Sequence, residues 1–274
     1  MVKKLRRLLV FIVIVYGFLY INNHWLVTTE LMHESSNVPA SFDGYRITQV
    51  TDLHDATFGE NQSRLVKKVR ATNPDVIFIT GDLIDSRRYD LENSLQAVKQ
   101  FVAIADVYYV IGNHEVALNK VDEIYAALID LGVHVLPNDA VVLERDGERI
   151  AIAGIEDPLM GQSVDVSIDE AMQHVESNLF TMLLSHRPEQ FDMYVQKELD
   201  VIFTGHAHGG QIRLPFIGGL VAPSQGALPK YTAGTFEEND TKMVISRGLG
   251  NSVFPFRIFN LPEIVVMELK SKSY

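Results

Sequence analysis

The sequence predicts an α/β fold in which a sheet is covered by helices on both faces. Continuously apolar segments of strand length, such as 75–80 (DVIFIT) and 107–111 (VYYVI), indicate strands that are buried on both sides. Segments with the periodicity of amphipathic helices, such as 91–105, alternate with them along the chain. A third observation, an uninterrupted apolar run near the N-terminus, adds a hydrophobic anchor helix to this fold.

The apolar run covers residues 8–21 and follows the basic residues Lys3, Lys4, Arg6 and Arg7. A basic segment before an apolar run is typical of a secretory signal or a membrane anchor. As a helix the run spans about 21 Å, short for a hydrocarbon core of about 30 Å, although the helix can continue to residue 27. Since no Ala-x-Ala site follows closely, an uncleaved anchor is favoured over a cleaved signal peptide. Basic flanks stay in the cytoplasm, so we predict a single-pass protein of the cell membrane with an extracytoplasmic domain.

The remaining elements follow in chain order. Residues 1–27 are the anchor or signal segment, 28–44 a polar linker that can include a first strand, and 45–274 the folded domain. The Gly- and Pro-rich stretch after residue 208 is strand-like and predicts a second sheet that closes this domain. Helices are expected at 61–71, 91–105, 124–131 and 168–176, and strands at 46–51, 75–80, 107–111, 133–136, 140–145, 149–154, 180–185, 201–204, 211–214, 242–246 and 264–269.

Composition excludes several classes of protein. The 274 residues carry a formal net charge of −11, which argues against a nucleic-acid surface. Acidity is compatible with phosphate chemistry, because bound divalent cations supply positive charge where carboxylates gather. The chain has no cysteine, so disulfides and thiolate metal sites are excluded.

Polar side chains follow five of the predicted strands. Because ligand sites in α/β proteins form outside the carboxyl ends of strands, these groups are expected to converge. Imidazole and oxygen ligands without thiolate suit Zn²⁺, Mn²⁺ or Fe rather than Ca²⁺. The segments are Asp52-Leu53-His54, Gly81-Asp82 with Asp85, Gly112-Asn113-His114-Glu115, Ser185-His186 and Gly205-His206-Ala207-His208.

Taken together and in order, DLH … GDLID … GNHE … SH … GHAH resembles the signature of the calcineurin-like metallophosphoesterase superfamily, over residues 46–269. The GHAHGGQI run and the later SRGLGNS and PFRIFNLPEI segments resemble a bacterial membrane-associated subgroup. The resemblance implies a four-layered α/β/β/α sandwich and a catalytic domain at residues 45–274. It also implies two divalent metal ions held at the strand ends.

The resemblance further implies a role for each matching residue. Asp82 would bridge both ions, and a metal-bridging hydroxide would be the nucleophile. His114 would contact the phosphate and protonate the leaving oxygen, which suits an imidazole near neutral pH. Asp85 and Glu115 would orient the ligands rather than bind metal. The first ion would be held by Asp52, His54 and His208, and the second by Asn113, His186 and His206.

Two further features carry alternatives. Arg247 could bind a substrate phosphate, or it could form a salt bridge within its loop. The apolar residues Phe216, Phe254, Phe256 and Phe259 could form a membrane-facing lip, or they could belong to the core. His33 matches no motif and is expected to be an ordinary solvated or hydrogen-bonded histidine.

The predicted function is metal-dependent hydrolysis of phosphate esters, in particular of phosphodiesters. A hydrolase of lipid-linked phosphate or pyrophosphate at the membrane surface is the alternative, for which the anchor and the aromatic residues are the hints. A catalytically silent scaffold would have lost ligands or the acid, whereas all seven expected ligands and His114 are present.

Overall fold

The computed structural model describes residues 2–272, in which helices and strands alternate over much of the chain. The helices are α1 (Val2–His24), α2 (Ser63–Ala71), α3 (Leu91–Phe101), α4 (Asn113–Ala117), α5 (Val121–Asp130), α6 (Val164–Ala171) and α7 (Phe191–Gln196). The strands are β1 (Val27–Ser35), β2 (Arg46–Val50), β3 (Val76–Thr80), β4 (Asp106–Val110), β5 (His134–Val135), β6 (Asp139–Arg145), β7 (Glu148–Gly154), β8 (Phe180–Leu184), β9 (Val201–Thr204), β10 (Arg213–Leu214), β11 (Gly218–Gly219), β12 (Val221–Ala222), β13 (Gly226–Ala227), β14 (Gly234–Glu238), β15 (Thr241–Ile245) and β16 (Glu263–Ser271).

Over residues 2–272 the strands form two six-stranded mixed sheets and two short hairpins. The first sheet has the order β1-β16-β2-β3-β4-β5, and the second β14-β15-β9-β8-β7-β6. Strands β2 to β5 run parallel in the first sheet, as do β7, β8, β9 and β15 in the second. The carboxyl ends of the parallel strands are therefore where loops with functional side chains are expected.

The sheets pack on each other, and helices cover their outer faces. A buried apolar layer lies between the sheets, where the rings of Phe78 and Phe203 are 5.1 Å apart. A second layer lies between the first sheet and helices α2, α3 and α5, and a third between the second sheet and helices α6 and α7. This arrangement confirms the four-layered α/β/β/α sandwich.

The local sequence accounts for the covering helices. Helix α2 buries Leu65, Val66 and Val69, whose spacing places them on one helical face. The Asp90 side chain caps helix α3 by accepting a hydrogen bond of 3.2 Å from the Asn93 amide. Strand β3 is buried along its whole length, as a continuously apolar strand between two layers should be.

Two features of the chain order differ from the expectation. The second sheet begins at β6 rather than after residue 208, and the last strand, β16, returns to the first sheet, antiparallel to β2. Within the expected linker 28–44, strand β1 pairs with β16 along its length, so residues 27–35 belong to the sheet. Strand pairing over more than 200 residues of sequence depends on tertiary contacts that local apolar patterns do not specify.

Helix α1 is longer than the apolar run that predicted it. Among residues 2–272 it is the helix long and apolar enough to cross a membrane, with a mean hydropathy of 1.7 in its most apolar window. Its length of 23 residues corresponds to roughly 34 Å, which is enough for a hydrocarbon core of about 30 Å.

Candidate metal centre

The five strand-end segments converge at one edge of the sandwich. Loops after β2, β3 and β4 of the first sheet meet loops after β8 and β9 of the second. The backbone there is unusual, since non-glycine residues adopt the left-handed region, which costs energy and concentrates at functional sites. The residues with positive φ include five of the expected ligands, namely Asp52, His54, Asp82, His206 and His208.

The converging side chains form two buried groups that could each hold a cation, and they share Asp82. One group is Asp52, His54, Asp82 and His208, and the other is Asp82, His186 and His206, with the ligand atoms of each group within 4.8 Å of one another. In the first group the His54 Nε2 lies 3.5 Å from Asp82 Oδ2 and 3.1 Å from His208 Nε2.

In the second group His186 Nε2 lies 3.2 Å from Asp82 Oδ2 and 3.2 Å from His206 Nδ1. Nitrogen and oxygen lone pairs that point at a common centre from buried positions are the arrangement that a divalent transition metal requires.

Asn113, at the start of helix α4, has a side-chain amide that is not satisfied within residues 2–272 of the protein. Its side-chain oxygen, Oδ1, is buried and has no hydrogen-bond partner among the residues that the structure describes. A buried amide oxygen without a partner is costly unless something else satisfies it. A cation beside His186 and Asp82 would do so, and the donor set therefore fits two divalent ions.

Glycines allow the loops to approach this closely. A Cβ atom at Gly112 would clash with the Asp82 carboxylate, and one at Gly205 would clash with Asp52 and Thr51. Gly81 has a φ of +89°, which an L side chain rarely adopts. These three glycines are the ones that precede Asp82, Asn113 and His206 in the sequence.

Burial sets the charge state of the clustered groups. It raises the pKa of Asp52 to about 7 and lowers the pKa of His208 to about 3, and it also lowers the pKa values of His54 and His206. In His186 burial opposes the charge, but Asp82 outweighs it and raises the pKa to about 10. Neutral imidazoles have the free lone pair that a cation needs, and the His186 proton occupies a position for which a cation would compete.

His114 borders the two groups. Its ring lies edge-on to that of His54, with the centroids 4.5 Å apart, and its backbone amide donates to Asp82 Oδ1 at 2.8 Å. The Ser86 amide donates to His114 Nδ1 at 3.0 Å, which assigns the proton of the neutral ring to Nε2. Nε2 lies 3.0 Å from Ser252 Oγ. The ring thus presents an N–H on the side away from Ser86.

Glu115 and Asp85 contact the backbone rather than the ligand cluster. The Glu115 carboxylate accepts four backbone N–H groups, from Asp82, Leu83, Ile84 and Gly112, at 2.7 to 3.3 Å. It therefore ties the loop with Asp82 to the loop with Asn113. Asp85 accepts the Arg87 amide at 2.8 Å and pairs with Arg88 at 2.6 Å.

Arg247 forms a salt bridge with Glu263, the first residue of strand β16, rather than with a residue of its own loop. Its guanidinium lies 2.8 Å from Glu263 Oε1, and its amide donates to Glu263 Oε2 at 3.0 Å. The ion pair orients the guanidinium within the 246–251 loop.

A buried arginine beside the second group was missed from the sequence. Arg187 pairs with the buried Asp157, and its Nη1 lies 2.9 Å from His206 Nε2. Asp157 follows strand β7, and a polar residue after a strand is the pattern that indicates a functional residue. A turn before Pro158 accounts for an aspartate at this position equally well. The pair packs against His206 from the side opposite the cluster.

Comparisons with known proteins agree with this geometry. The family model of the calcineurin-like phosphoesterases matches residues 45–210. The chain is 31% identical to YkuE of Bacillus subtilis, named an uncharacterized metallophosphoesterase, over 94% of this chain and 91% of that protein. It is 28% identical to the phosphodiesterase YaeI of Escherichia coli K12, over 82% of each protein. The solved structure of TT1561 from Thermus thermophilus is similar in fold, with a TM-score of 0.52 and 10% identity over 75% of this chain and 90% of that chain.

Proposed function

This chain belongs to the calcineurin-like phosphoesterase family, and we propose that it is a dinuclear metal-dependent hydrolase of phosphodiesters. The observation that carries the proposal is the pair of buried ligand groups that share Asp82. The similarity to YaeI, which is named a phosphodiesterase, favours a diester over a monoester.

The proposed ligand set assigns Asp52, His54 and His208 to the first ion. Asp82 serves both ions, and the second ion is completed by Asn113, His186 and His206. Two divalent ions bound by these residues would lower the pKa of a bound water and bind the phosphoryl oxygens. The metal identity, Mn, Zn or Fe, depends on availability as well as on ligands.

The chain's own residues have four tasks in this proposal. Glu115 holds the two ligand-bearing loops together, and the ion pair of Arg187 and Asp157 packs beside His206. His114 is the proposed proton donor, and its Nε2–H, now 3.0 Å from Ser252 Oγ, would hydrogen-bond the expelled oxygen. The net proton would come from the imidazolium form of the ring, in which Nδ1 is protonated and releases the Ser86 amide. Arg247 stays a predicted phosphate ligand, and its ion pair with Glu263 would orient it for that role.

We also propose that helix α1 anchors the protein in the cell membrane with the catalytic domain outside. The helix is long enough to span, and its first residues include Lys3, Lys4, Arg6 and Arg7, which favour the cytoplasmic side. A reporter enzyme fused at the C-terminus, active either in the cytoplasm or outside it, measures this orientation directly. Cytoplasmic activity of the fusion would contradict it.

The activity is tested with the full chain in detergent, because strand β1 lies directly after the helix and belongs to the sheet. The protein is supplied with Mn²⁺ or Zn²⁺ and given bis-p-nitrophenyl phosphate and p-nitrophenyl phosphate. We expect cleavage of the diester that Asp82→Ala abolishes and that Asp130→Ala, at an exposed aspartate, leaves unchanged. Cleavage of neither reporter above the rate of Asp82→Ala would refute the proposed function.

A further inference from the structure

The junction between helix α1 and the catalytic domain is short and fixed. Two residues, Trp25 and Leu26, separate the end of the helix at His24 from the start of strand β1 at Val27. Leu26 is buried, and the Trp25 amide continues the helical pattern by donating to the Ile21 carbonyl at 2.9 Å. The catalytic domain is therefore held against the outer end of the helix rather than suspended on a flexible linker.

Side-chain amides in the last turn of the helix bind one loop of the domain, residues 250–260, called here the 250–260 loop. Asn23 Oδ1 accepts hydrogen bonds from Asn251 Nδ2 at 2.7 Å and from the Arg257 amide at 3.2 Å. Asn22 is 5% exposed, and its Oδ1 accepts the Asn260 amide at 3.4 Å. Paired polar side chains at the end of a spanning helix fix its position relative to the partner that satisfies them.

The same loop reaches the metal centre. Ser252, which lies 3.0 Å from His114 Nε2, is the neighbour in sequence of Asn251, which binds Asn23 of the helix. The Arg257 guanidinium is fully buried and donates to the Gly250 carbonyl at 2.7 Å, which stiffens the loop from within. The 250–260 loop thus contacts both the end of helix α1 and His114 of the candidate site.

A cavity of about 640 Å³ opens between the helix and this wall. The helix contributes the side chains of Leu19 and Tyr20, and the domain contributes Phe58, Leu249 and Phe256. The cation of Arg88 also lines it and donates to the Asn251 carbonyl at 2.8 Å. The lining is mixed, since Asp55 and Asn251 also border the cavity and Arg88 is paired with Asp85, and the apolar part of its wall suits an alkyl chain.

Exposed apolar side chains surround this region. Val253 is 68% exposed and Phe259 60% exposed, and Phe216 is fully exposed on the neighbouring loop. The ring of Phe259 packs edge-on against Phe18 of the helix, with the centroids 5.2 Å apart. The aromatic residues are thus exposed rather than part of the core. Such a patch beside a spanning helix is suited to the bilayer interface, where aromatic side chains are enriched.

We propose that the substrate is an amphiphilic phosphodiester drawn from the bilayer, whose alkyl chain lies in the cavity between helix α1 and the 250–260 loop. This inference rests on the proposed phosphodiesterase activity and names its substrate class. In the hydrolysis, a P–O bond forms from water while one ester P–O bond breaks, and the expelled oxygen takes a proton. The chain positions the phosphate beside the metal centre and leaves the head group facing water.

The test compares two esters with identical reacting groups, methyl p-nitrophenyl phosphate and octyl p-nitrophenyl phosphate, with the full chain in lipid nanodiscs. Leu19→Trp fills the cavity from the helix side. Ile21→Trp, on the opposite face of the same helix and 49% exposed, is the matched control. Since each methylene that leaves water contributes about a fourfold gain, we expect kcat/KM of the octyl ester to exceed that of the methyl ester by at least about tenfold.

In Leu19→Trp we expect this advantage to fall below about threefold while the rate with the methyl ester is kept, and in Ile21→Trp to persist. The unchanged methyl ester rate shows that the variant is folded and loaded with metal. Equal kcat/KM for the two esters in the unmodified chain, or a full octyl advantage in Leu19→Trp, would overturn the inference and leave the proposed function standing. Cleavage of neither ester above the Asp82→Ala rate would instead refute the proposed function.

Discussion

Replacing Glu115 by Gln tests whether the loops of the metal centre depend on one buried carboxylate. Glu115 is fully buried, and each of its oxygens accepts two backbone N–H groups. Glutamine has nearly the same shape but presents an NH₂ group in place of one oxygen. Whichever way the amide is turned, two buried backbone donors then face another donor.

The magnitude follows from those two donors. A buried donor left without a partner costs about 1–3 kcal/mol, so two of them are expected to destabilise the fold by about 4 kcal/mol. The donors belong to the loops of Asp82 and Asn113, so the ligands themselves lose their orientation. Loss of a hydrogen bond that orients a metal ligand typically lowers metal affinity by about 10- to 100-fold, and we expect Glu115→Gln to lower the affinity for Zn²⁺ within that range.

The assay is chemical denaturation of the full chain in detergent with a chelator present, followed by titration of the folded protein with Zn²⁺. Glu60→Gln, at an exposed glutamate, is the control and should stay within about 0.5 kcal/mol of the unmodified chain. A change below about 1 kcal/mol in Glu115→Gln, with metal affinity unaltered, would show that the loops hold their positions without this carboxylate.

Three further predictions concern charge and metal content. Asp82→Asn should reduce the bound metal from about two ions per chain to nearly none, whereas His206→Ala should retain about one, as measured by elemental analysis of the purified protein. Burial opposes the charge of His186, but Asp82 outweighs it and raises the pKa of His186 to about 10, so metal binding should release a proton from this ring. The affinity for metal should therefore fall as the pH falls, and calorimetry in buffers of different ionisation enthalpy measures the proton release. Burial, assisted by Lys242, lowers the pKa of His33 to about 4. The unfolded chain therefore binds a proton that the folded chain does not, and stability should fall by about 2–3 kcal/mol as the pH drops from about 6.5 to about 4. His33→Phe should remove this loss, and an unchanged pH profile of denaturation in that variant would refute the reasoning.

The convergence of the strand-end side chains could be predicted because the pattern that indicates it is local in sequence. Each ligand follows an apolar strand directly, so the strand pattern and the polar residue after it lie within one short segment. The glycines before Asp82, Asn113 and His206 mark where the backbone must turn sharply, and the structure shows the close contacts that exclude a Cβ there. The left-handed backbone of the ligands themselves could not be predicted, since it results from the loops meeting across two sheets.

Features that depend on distant pairing could not be predicted in the same way. Strand β1 joins the sheet through β16, more than 200 residues away in sequence, so the polar composition of residues 28–44 predicts only a linker that can include a first strand. His33 lies on this strand, 6% exposed and packed against Phe180, and within residues 2–272 neither ring nitrogen has a hydrogen-bond partner. Its burial follows from the pairing of β1, and nothing near it in the sequence distinguishes it from a surface histidine.

Several of the places where local rules are broken lie together at the candidate metal centre. Non-glycine residues in the left-handed region cost of order 1 kcal/mol each, and buried carboxylates in one cluster repel each other. A cation that binds all of these groups offsets both costs at once, so metal affinity and fold stability should be coupled in this chain. The 250–260 loop extends that coupling to helix α1, because Asn23 and His114 bind adjacent residues of it. Helix α1 is therefore part of the support of the candidate site, in addition to the membrane attachment proposed for it.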